Sequence, residues 1–306
     1  MGIFFKDYES AGPGIAKDAP KKKGAALYFE LFGRKFWQII GLNMIYYVFF
    51  IPLVLAFVLL LYKGSTNLQA ALICVCIAVF AVLIGPATAG LVKVLKNYIL
   101  EKHSFMFKDF FGAFRDNFKR AALVGILDCV ILASCMASLS VYPQLAVVYD
   151  TRLMYVPMVI TLSLGLMVLM MNYYVFLLIV GTDLTMKNII KDSFFLAIIG
   201  LKRNLLSTVI VIVSAIIMTL MMLYIPSLFL LLITFIPMSI VWFTICFISY
   251  PMIQKHILQP YYEMIGEENP ETAEESRTDE ETIFVDMGGK EAPIEKRKKG
   301  KGKRIS

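Results

Sequence analysis

Hydrophobic residues occur in long runs along the chain, and charged residues lie between these runs and towards both termini. The runs cover residues 36–62, 68–91, 121–148, 155–180, 207–225 and 227–250. Each run has about the 20 residues that a helix needs to cross some 30 Å of hydrocarbon. The last two runs form one apolar stretch that is too long for a single span, and "YIPS" (224–227) is the turn signal within it. We therefore predict an all-α, polytopic membrane protein with six transmembrane helices.

The connections between the runs differ at the two ends of the predicted helices. Those after runs one, three and five are short, so the runs should pair as three antiparallel hairpins. At the opposite end, the termini and the two longer connections carry 28 of the 30 Lys and Arg residues; only Lys63 and Arg152 are exceptions. The positive-inside rule then predicts that both termini are cytoplasmic (N-in, C-in). The net charge of +7 fits loops that face the anionic inner leaflet of the lipid bilayer, so no nucleic-acid partner is expected.

Composition divides the chain into three regions. The whole chain is 58% hydrophobic and 17% charged, whereas soluble domains have about half apolar and a quarter charged residues. Residues 27–262 form the predicted membrane domain. Residues 1–26 and 263–306 are polar or charged, and they have too few apolar residues to form a core, so we predict a disordered cytoplasmic N-terminus and tail.

Two of the basic connections have the pattern of amphipathic helices. Phenylalanines recur at spacings of three and four residues, with charged residues between them: Phe107, Phe110, Phe111, Phe114 and Phe118. This spacing predicts a helix that lies along the inner interface. A constant shift of 83 residues relates this segment to a second one, with Lys108 and Asp109 matching Lys191 and Asp192. The chain therefore contains an internal repeat.

Polar residues inside the predicted spans are the candidates for function or helix packing. Asp128 is the only carboxylate well inside a span, where an unpaired charge costs about 2.5 kcal/mol or more. Two interpretations remain open: a functional ionisable group, or a hydrogen bond to a neighbouring helix. Asn43 and Asn172 are predicted to join helices by hydrogen bonds. Tyrosines such as Tyr46 and Tyr173 are predicted to belong to interfacial aromatic belts.

The segment "IGPATAGLVKVLK" (84–96) combines small residues, a proline and two lysines. Gly85 and Ala89 are four residues apart, a spacing that permits another helix to approach closely. Pro86 removes a backbone donor and should bend the helix near the inner boundary. Lys93 and Lys96 are then expected to face the lipid headgroups. Gly85, Pro86 and Thr88 are candidate packing or functional residues.

The chain lacks the common motifs of enzymes and metal sites. No GxxxxGK[ST], HExxH or GxSxG sequence occurs, and none of the five cysteines forms a CxxC pair. We therefore expect a non-enzymatic protein without catalytic residues, cofactor or metal.

Three segments together resemble the YesL family of bacterial integral membrane proteins (domain of unknown function 624): "IGPATAGLVKVLK", "FKDFFGAFRDNFKRAALVGIL" and "YYVFLLIVGTDLTMKNIIKDSFFLAIIGLKRNLLS". The likeness covers about residues 30–262. It implies a role around carbohydrate uptake, with subunits of a carbohydrate transporter as partners. The resulting hypothesis is an accessory or assembly protein of the bacterial cytoplasmic membrane. The alternative is a small secondary transporter or channel with Asp128 as its buried ionisable residue.

Overall fold

The structure is a computed structural model that describes residues 22–62, 66–235, 237–267 and 269. Within these residues the chain forms helices and no β-strand. The α-helices are α1 Ala25–Tyr47, α2 Ile51–Leu61, α3 Asn67–Ile99, α4 Met106–Asp116, α5 Phe118–Val148, α6 Tyr155–Gly181, α7 Met186–Ile199, α8 Leu201–Tyr224, α9 Pro226–Phe235, α10 Pro237–Ile253 and α11 Gln259–Ile265. Most of the predicted N-terminal segment and tail lies outside the described residues. The chain separates into two compact units after Ile257, and α11 belongs to the second.

Six helical segments are long and apolar enough to cross a membrane. They are Ala25–Leu61, Asn67–Ile99, Phe118–Val148, Arg152–Gly181, Leu201–Tyr224 and Pro237–Ile265. The predicted all-α membrane fold with six spanning helices is thus confirmed. Short 3-10 helices at Val48–Phe50 and Arg152–Met154 continue the first and fourth segments, and a π-helix at Gln254–Leu258 continues the sixth.

The last apolar stretch contains the turn that its sequence predicted, since α8 ends at Tyr224 and α9 begins at Pro226. Residue 236 lies outside the described residues, and α10 follows it from Pro237. Proline has no backbone N–H, so Pro237 cannot bond the carbonyl of Ile233 four residues earlier.

Burial is concentrated at one end of the bundle, which we call the packed end. It comprises residues 31–46, 85–98, 121–125, 170–179 and 243–253. Along α3, every residue of 85–98 is buried except Lys93 and Asn97. This part of α3 is central because the helix packs against α1, α4, α5, α6 and α10.

The other halves of the same helices form what we call the apolar end, comprising residues 51–61, 67–80, 126–148, 155–169 and 209–224. Most side chains there are exposed or half-buried. Leu60, Val130 and Ile216, for example, are 66%, 57% and 52% exposed. Such faces suit contact with lipid, the solvent of a spanning helix.

The two amphipathic segments form the separate helices α4 and α7, but the aromatic face of α4 is divided. Phe110 is fully buried, whereas Phe107 and Phe111 are 63% and 48% exposed. Phe110 therefore contacts another helix, whereas Phe107 and Phe111 remain accessible. The reason is that α4 packs on α3, where the backbone and ring of Phe110 lie against Gly90.

Candidate functional site

The glycine of the Gly85-Pro86 motif lies at the closest approach of two helices. A Cβ atom on Gly85 would lie 1.9 Å from the carbonyl oxygen of Ala121 in α5. The contact is reciprocal, because a Cβ on Gly125 would lie 2.7 Å from the backbone nitrogen of Gly85. Helices α3 and α5 thus touch backbone to backbone, and the sequence did not indicate that Gly125 is the partner of Gly85.

The residues after Pro86 continue the helix into the packed end. Helix α3 runs on to Ile99 with Pro86 inside it. Lys96 is only 6% exposed, and its Nζ lies 5.2 Å from the centre of the Tyr250 ring. A Cβ on Gly181 would lie 3.0 Å from this Nζ. The expectation that Lys96 faces lipid headgroups is therefore wrong; its ammonium lies at the C-terminal end of α6, where the helix dipole favours a cation.

Thr88 joins α1 to α3 through a hydrogen bond with Tyr46. The Thr88 hydroxyl donates to the carbonyl of Ile84 at 2.8 Å, so the Tyr46 hydroxyl, 2.9 Å away, donates to the threonine oxygen. The same arrangement recurs twice, for Tyr173 with Thr208 at 3.0 Å and for Tyr28 with Thr244 at 2.8 Å. Each threonine again donates to the carbonyl four residues earlier.

These bonds correct the interpretation of two tyrosines as interfacial belt residues. Tyr46 and Tyr173 are 4% and 2% exposed. A tyrosine near a span end looks the same in sequence whether it faces the lipid interface or a threonine on another helix. The signal that could have separated the two cases is a threonine inside another apolar run.

Asn43 joins α1 to both α9 and α10. Its Nδ2 donates to the Ile233 carbonyl at 3.3 Å, a group that Pro237, four residues later, cannot bond. Its Oδ1 accepts from the backbone N–H of Ser239 at 3.0 Å. One side chain of α1 therefore bonds the backbone on both sides of Pro237.

Asp128 and Asn172 form a hydrogen bond between α5 and α6. The Asn172 Nδ2 donates to Asp128 Oδ1 over 2.7 Å. Asp128 is half-buried, and it forms no ion pair with any residue that the structure describes. Of the two interpretations that the sequence left open for Asp128, the hydrogen bond to a neighbouring helix is present. A functional role of the same carboxylate is compatible with this bond.

An open cleft of about 720 Å³ lies between α3, α4, the first turn of α5 and the end of α6. Side chains of both charges line it: Lys93, Lys108, Asp109, Asp116, Arg120 and Asp183. Asp109 also holds the start of α4, since its Oδ2 accepts from the Ser104 hydroxyl at 2.6 Å and the Phe105 N–H at 3.0 Å. The sequence analysis did not predict a cleft. The signal that could have indicated one is the pair Gly112 and Ala113, two small residues that leave space within a helix rich in phenylalanine.

Part of this region falls within one family match. Residues 39–139 match the family model described as "Protein of unknown function, DUF624". The YesL-like resemblance is confirmed over these residues. The DUF624 match contains the Gly85–Gly125 contact, Asp128 and all of α4, whereas α6 and Asn172 lie beyond it. No curated protein and no solved structure is significantly similar to the chain.

The residues described do not bring metal-binding groups together. Among them, no three His, Cys, Asp or Glu side chains are placed to hold a metal ion. The charged cleft at the packed end is a concave site that a ligand could enter.

Proposed function

We propose that the chain is a non-enzymatic, multi-pass protein of the bacterial cytoplasmic membrane that assists or assembles a carbohydrate uptake system. The link to carbohydrate uptake comes from the family resemblance. The observation that carries the accessory role is that polar side chains inside the spans form hydrogen bonds to neighbouring helices. Asn43, Tyr46 and Asn172 each bond another helix, as groups that stabilise a bundle do.

The exposed helices provide the surface that such a role needs. Within the apolar end, α5 and α8 present long rows of exposed aliphatic side chains. In a bilayer these rows contact either lipid or the spanning helices of a partner. Subunits of a carbohydrate transporter, which span the same membrane, are the partners that we propose for them.

We infer that the packed end faces the cytoplasm. The inference rests on the positive-inside rule, because the basic residues of α4, α7 and the connections beside them belong to this end. A cysteine introduced at Arg152 should react with a membrane-impermeant thiol reagent in intact cells. One introduced at Lys119 should react only after lysis, and the reverse pattern would overturn the orientation.

Co-purification tests the accessory role. The tagged chain, extracted from native membranes in a mild detergent, should retain subunits of a carbohydrate transporter. An unrelated tagged protein with six spans, expressed at the same level, should not. Deleting the gene should also slow uptake of the corresponding carbohydrate. Retention of no transporter subunit together with unchanged carbohydrate uptake would contradict the proposal.

The half-buried carboxylate favours a second candidate, a small secondary transporter. Asp128 lies inside a span and has no ion-pair partner among the described residues. Proton-coupled carriers also have acidic side chains inside their spans, where these serve as proton relays. The Asp128→Asn variant keeps the shape of the side chain but cannot ionise. For a transporter, this variant should abolish flux. For an accessory protein, it should leave transporter retention and carbohydrate uptake unchanged.

A further inference from the structure

The charged side chains of the cleft lie together without forming ion pairs. Lys93, Lys108, Asp116 and Asp183 line one cavity, yet none forms a salt bridge with another described residue. Arg120 donates only a long hydrogen bond, 3.4 Å, to the carbonyl of Leu184. Charges of both signs therefore face the open space and remain available to a ligand.

The internal repeat shows which lining residues are particular to its first copy. We call α3–α5 the first repeat and α6–α8 the second; α8 begins 83 residues after α5, the same shift that the sequence shows. Lys108 and Arg120 have the basic counterparts Lys191 and Arg203. At four other lining positions the second repeat has a large, uncharged residue instead: Lys93 pairs with Phe176, Gly112 with Phe195, Ala113 with Leu196, and Asp116 with Ile199. Of these, Phe176 and Leu196 are 3% and 2% exposed, so they are packed inside the second repeat.

From this cleft we propose that the chain binds the phosphoethanolamine headgroup of an aminophospholipid. A phosphate suits the three cationic side chains, Lys93, Lys108 and Arg120, because charge-assisted hydrogen bonds to phosphate are strong. The ammonium of the same headgroup suits Asp116 and Asp183. A purely anionic headgroup would bring negative charge against these two carboxylates, so the mixed lining selects a zwitterion with a primary amine.

The surroundings of the cleft suit a lipid rather than a soluble zwitterion. Ile179 and Val180 add apolar surface to its wall. On the same helix as Lys108 and Asp116, Phe107 and Phe111 are exposed and one turn apart, so they can contact acyl chains. The cleft also lies at the basic end of the bundle, where headgroups are found. The proposal does not depend on a carbohydrate transporter being the partner.

Lipid titration of the purified full-length chain in detergent, read by native mass spectrometry, tests the proposal. Phosphatidylethanolamine should bind at least about tenfold more tightly than phosphatidylglycerol or phosphatidylcholine with the same acyl chains. The double variant Lys108→Gln/Arg120→Gln should lose about tenfold or more of this affinity. The matched control is Lys191→Gln/Arg203→Gln, the same two changes at the equivalent positions of the second repeat, and it should bind like the wild type.

A second variant fills the cleft without removing charge. A Cβ atom on Gly112 would meet nothing within 4 Å, so Gly112→Phe, which copies Phe195 of the second repeat, fits without a backbone clash. It should abolish phosphatidylethanolamine binding while leaving the thermal unfolding temperature unchanged. Asp116→Asn/Asp183→Asn should shift the preference towards phosphatidylglycerol.

Four results would overturn the proposal. The first is equal affinity of the wild type for the three lipids, and the second is that acyl-free glycerophosphoethanolamine binds as tightly as phosphatidylethanolamine. The third is that the Lys191→Gln/Arg203→Gln control loses as much phosphatidylethanolamine affinity as Lys108→Gln/Arg120→Gln. The fourth is that Gly112→Phe binds phosphatidylethanolamine as tightly as the wild type. None of these results bears on carbohydrate uptake or on the co-purification of a transporter.

Discussion

In soluble proteins the most hydrophobic segments are the most buried, whereas the packed end and the apolar end of this bundle show the opposite relation. The most apolar window of Asn67–Ile99 has a mean hydropathy of 2.7, yet only 6% of it is buried. The sixth segment, Pro237–Ile265, has the least apolar window at 1.3, and half of it is buried. Hydropathy thus marks the parts of the helices that face lipid, and burial marks the parts that face other helices.

The physical reason is that lipid tails are as apolar as leucine, so moving an apolar side chain from lipid to the protein interior brings little free energy. Helices in a membrane associate through close backbone packing and hydrogen bonds instead. The packed end has both, in the Gly85–Gly125 contact and in the bonds of Asn43, Tyr46 and Tyr173. Three pairs of matched variants test this difference, and we give them from the largest expected effect to the smallest.

The largest effect is expected at the backbone contact. Gly85→Ala places a Cβ 1.9 Å from a backbone oxygen, so α3 and α5 must separate, at a cost of about 3 kcal/mol or more. Gly33→Ala is the matched control, because a Cβ there meets nothing within 4 Å, and it should stabilise α1 by about 0.5–1 kcal/mol. Denaturant titration in one detergent measures both free energies of unfolding. Equal effects of the two variants would show that the contact is not a determinant of stability.

A smaller effect is expected where Asn43 bonds the backbone on both sides of Pro237. Asn43→Leu leaves the Ile233 carbonyl and the Ser239 N–H without the side chain that bonds them, at a cost of about 1–3 kcal/mol. The neighbouring Met44 is 43% exposed, so Met44→Leu should change stability by less than about 0.5 kcal/mol. The same titration compares the two variants. A neutral Asn43→Leu would mean that these two bonds do not contribute to stability.

The smallest effect is expected for a single hydroxyl. Tyr46→Phe removes one buried interhelical hydrogen bond, and bonds of this kind in membrane proteins contribute about 0.6–1.7 kcal/mol. Tyr62, the residue that follows the apolar half of the same segment, is 75% exposed, so Tyr62→Phe should be nearly neutral. Thermal unfolding of the two variants side by side gives the comparison. A larger loss for Tyr62→Phe than for Tyr46→Phe would reverse the roles of the two ends.

The number of spans was predictable from sequence, whereas the contacts between them were not. Apolar runs report that a segment prefers lipid to water, which is why six spanning segments could be recognised. The small-residue spacing of Gly85 and Ala89 indicated a close helix contact. Ala121 and Gly125 have the same spacing, but nothing in the sequence pairs these two sites, which lie about 40 residues apart.

The clearest error concerns Lys96, because the prediction that it faces the headgroups used hydropathy alone. Hydropathy does not distinguish a lysine beyond the end of a helix from one enclosed by Tyr250 and the end of α6. Likewise, it does not show that Asn43 of a distant helix bonds the backbone on both sides of Pro237.

Native-state hydrogen exchange of the full-length chain in detergent tests most directly whether the packed end holds the helices together and is the most stable part of the bundle. Amides of residues 85–98 and 170–179 should exchange slowest and share one large opening free energy. Amides of residues 126–148 and 209–224 should exchange through smaller, local openings. Equal protection along the whole of each helix, or slowest exchange in the apolar end, would contradict the account.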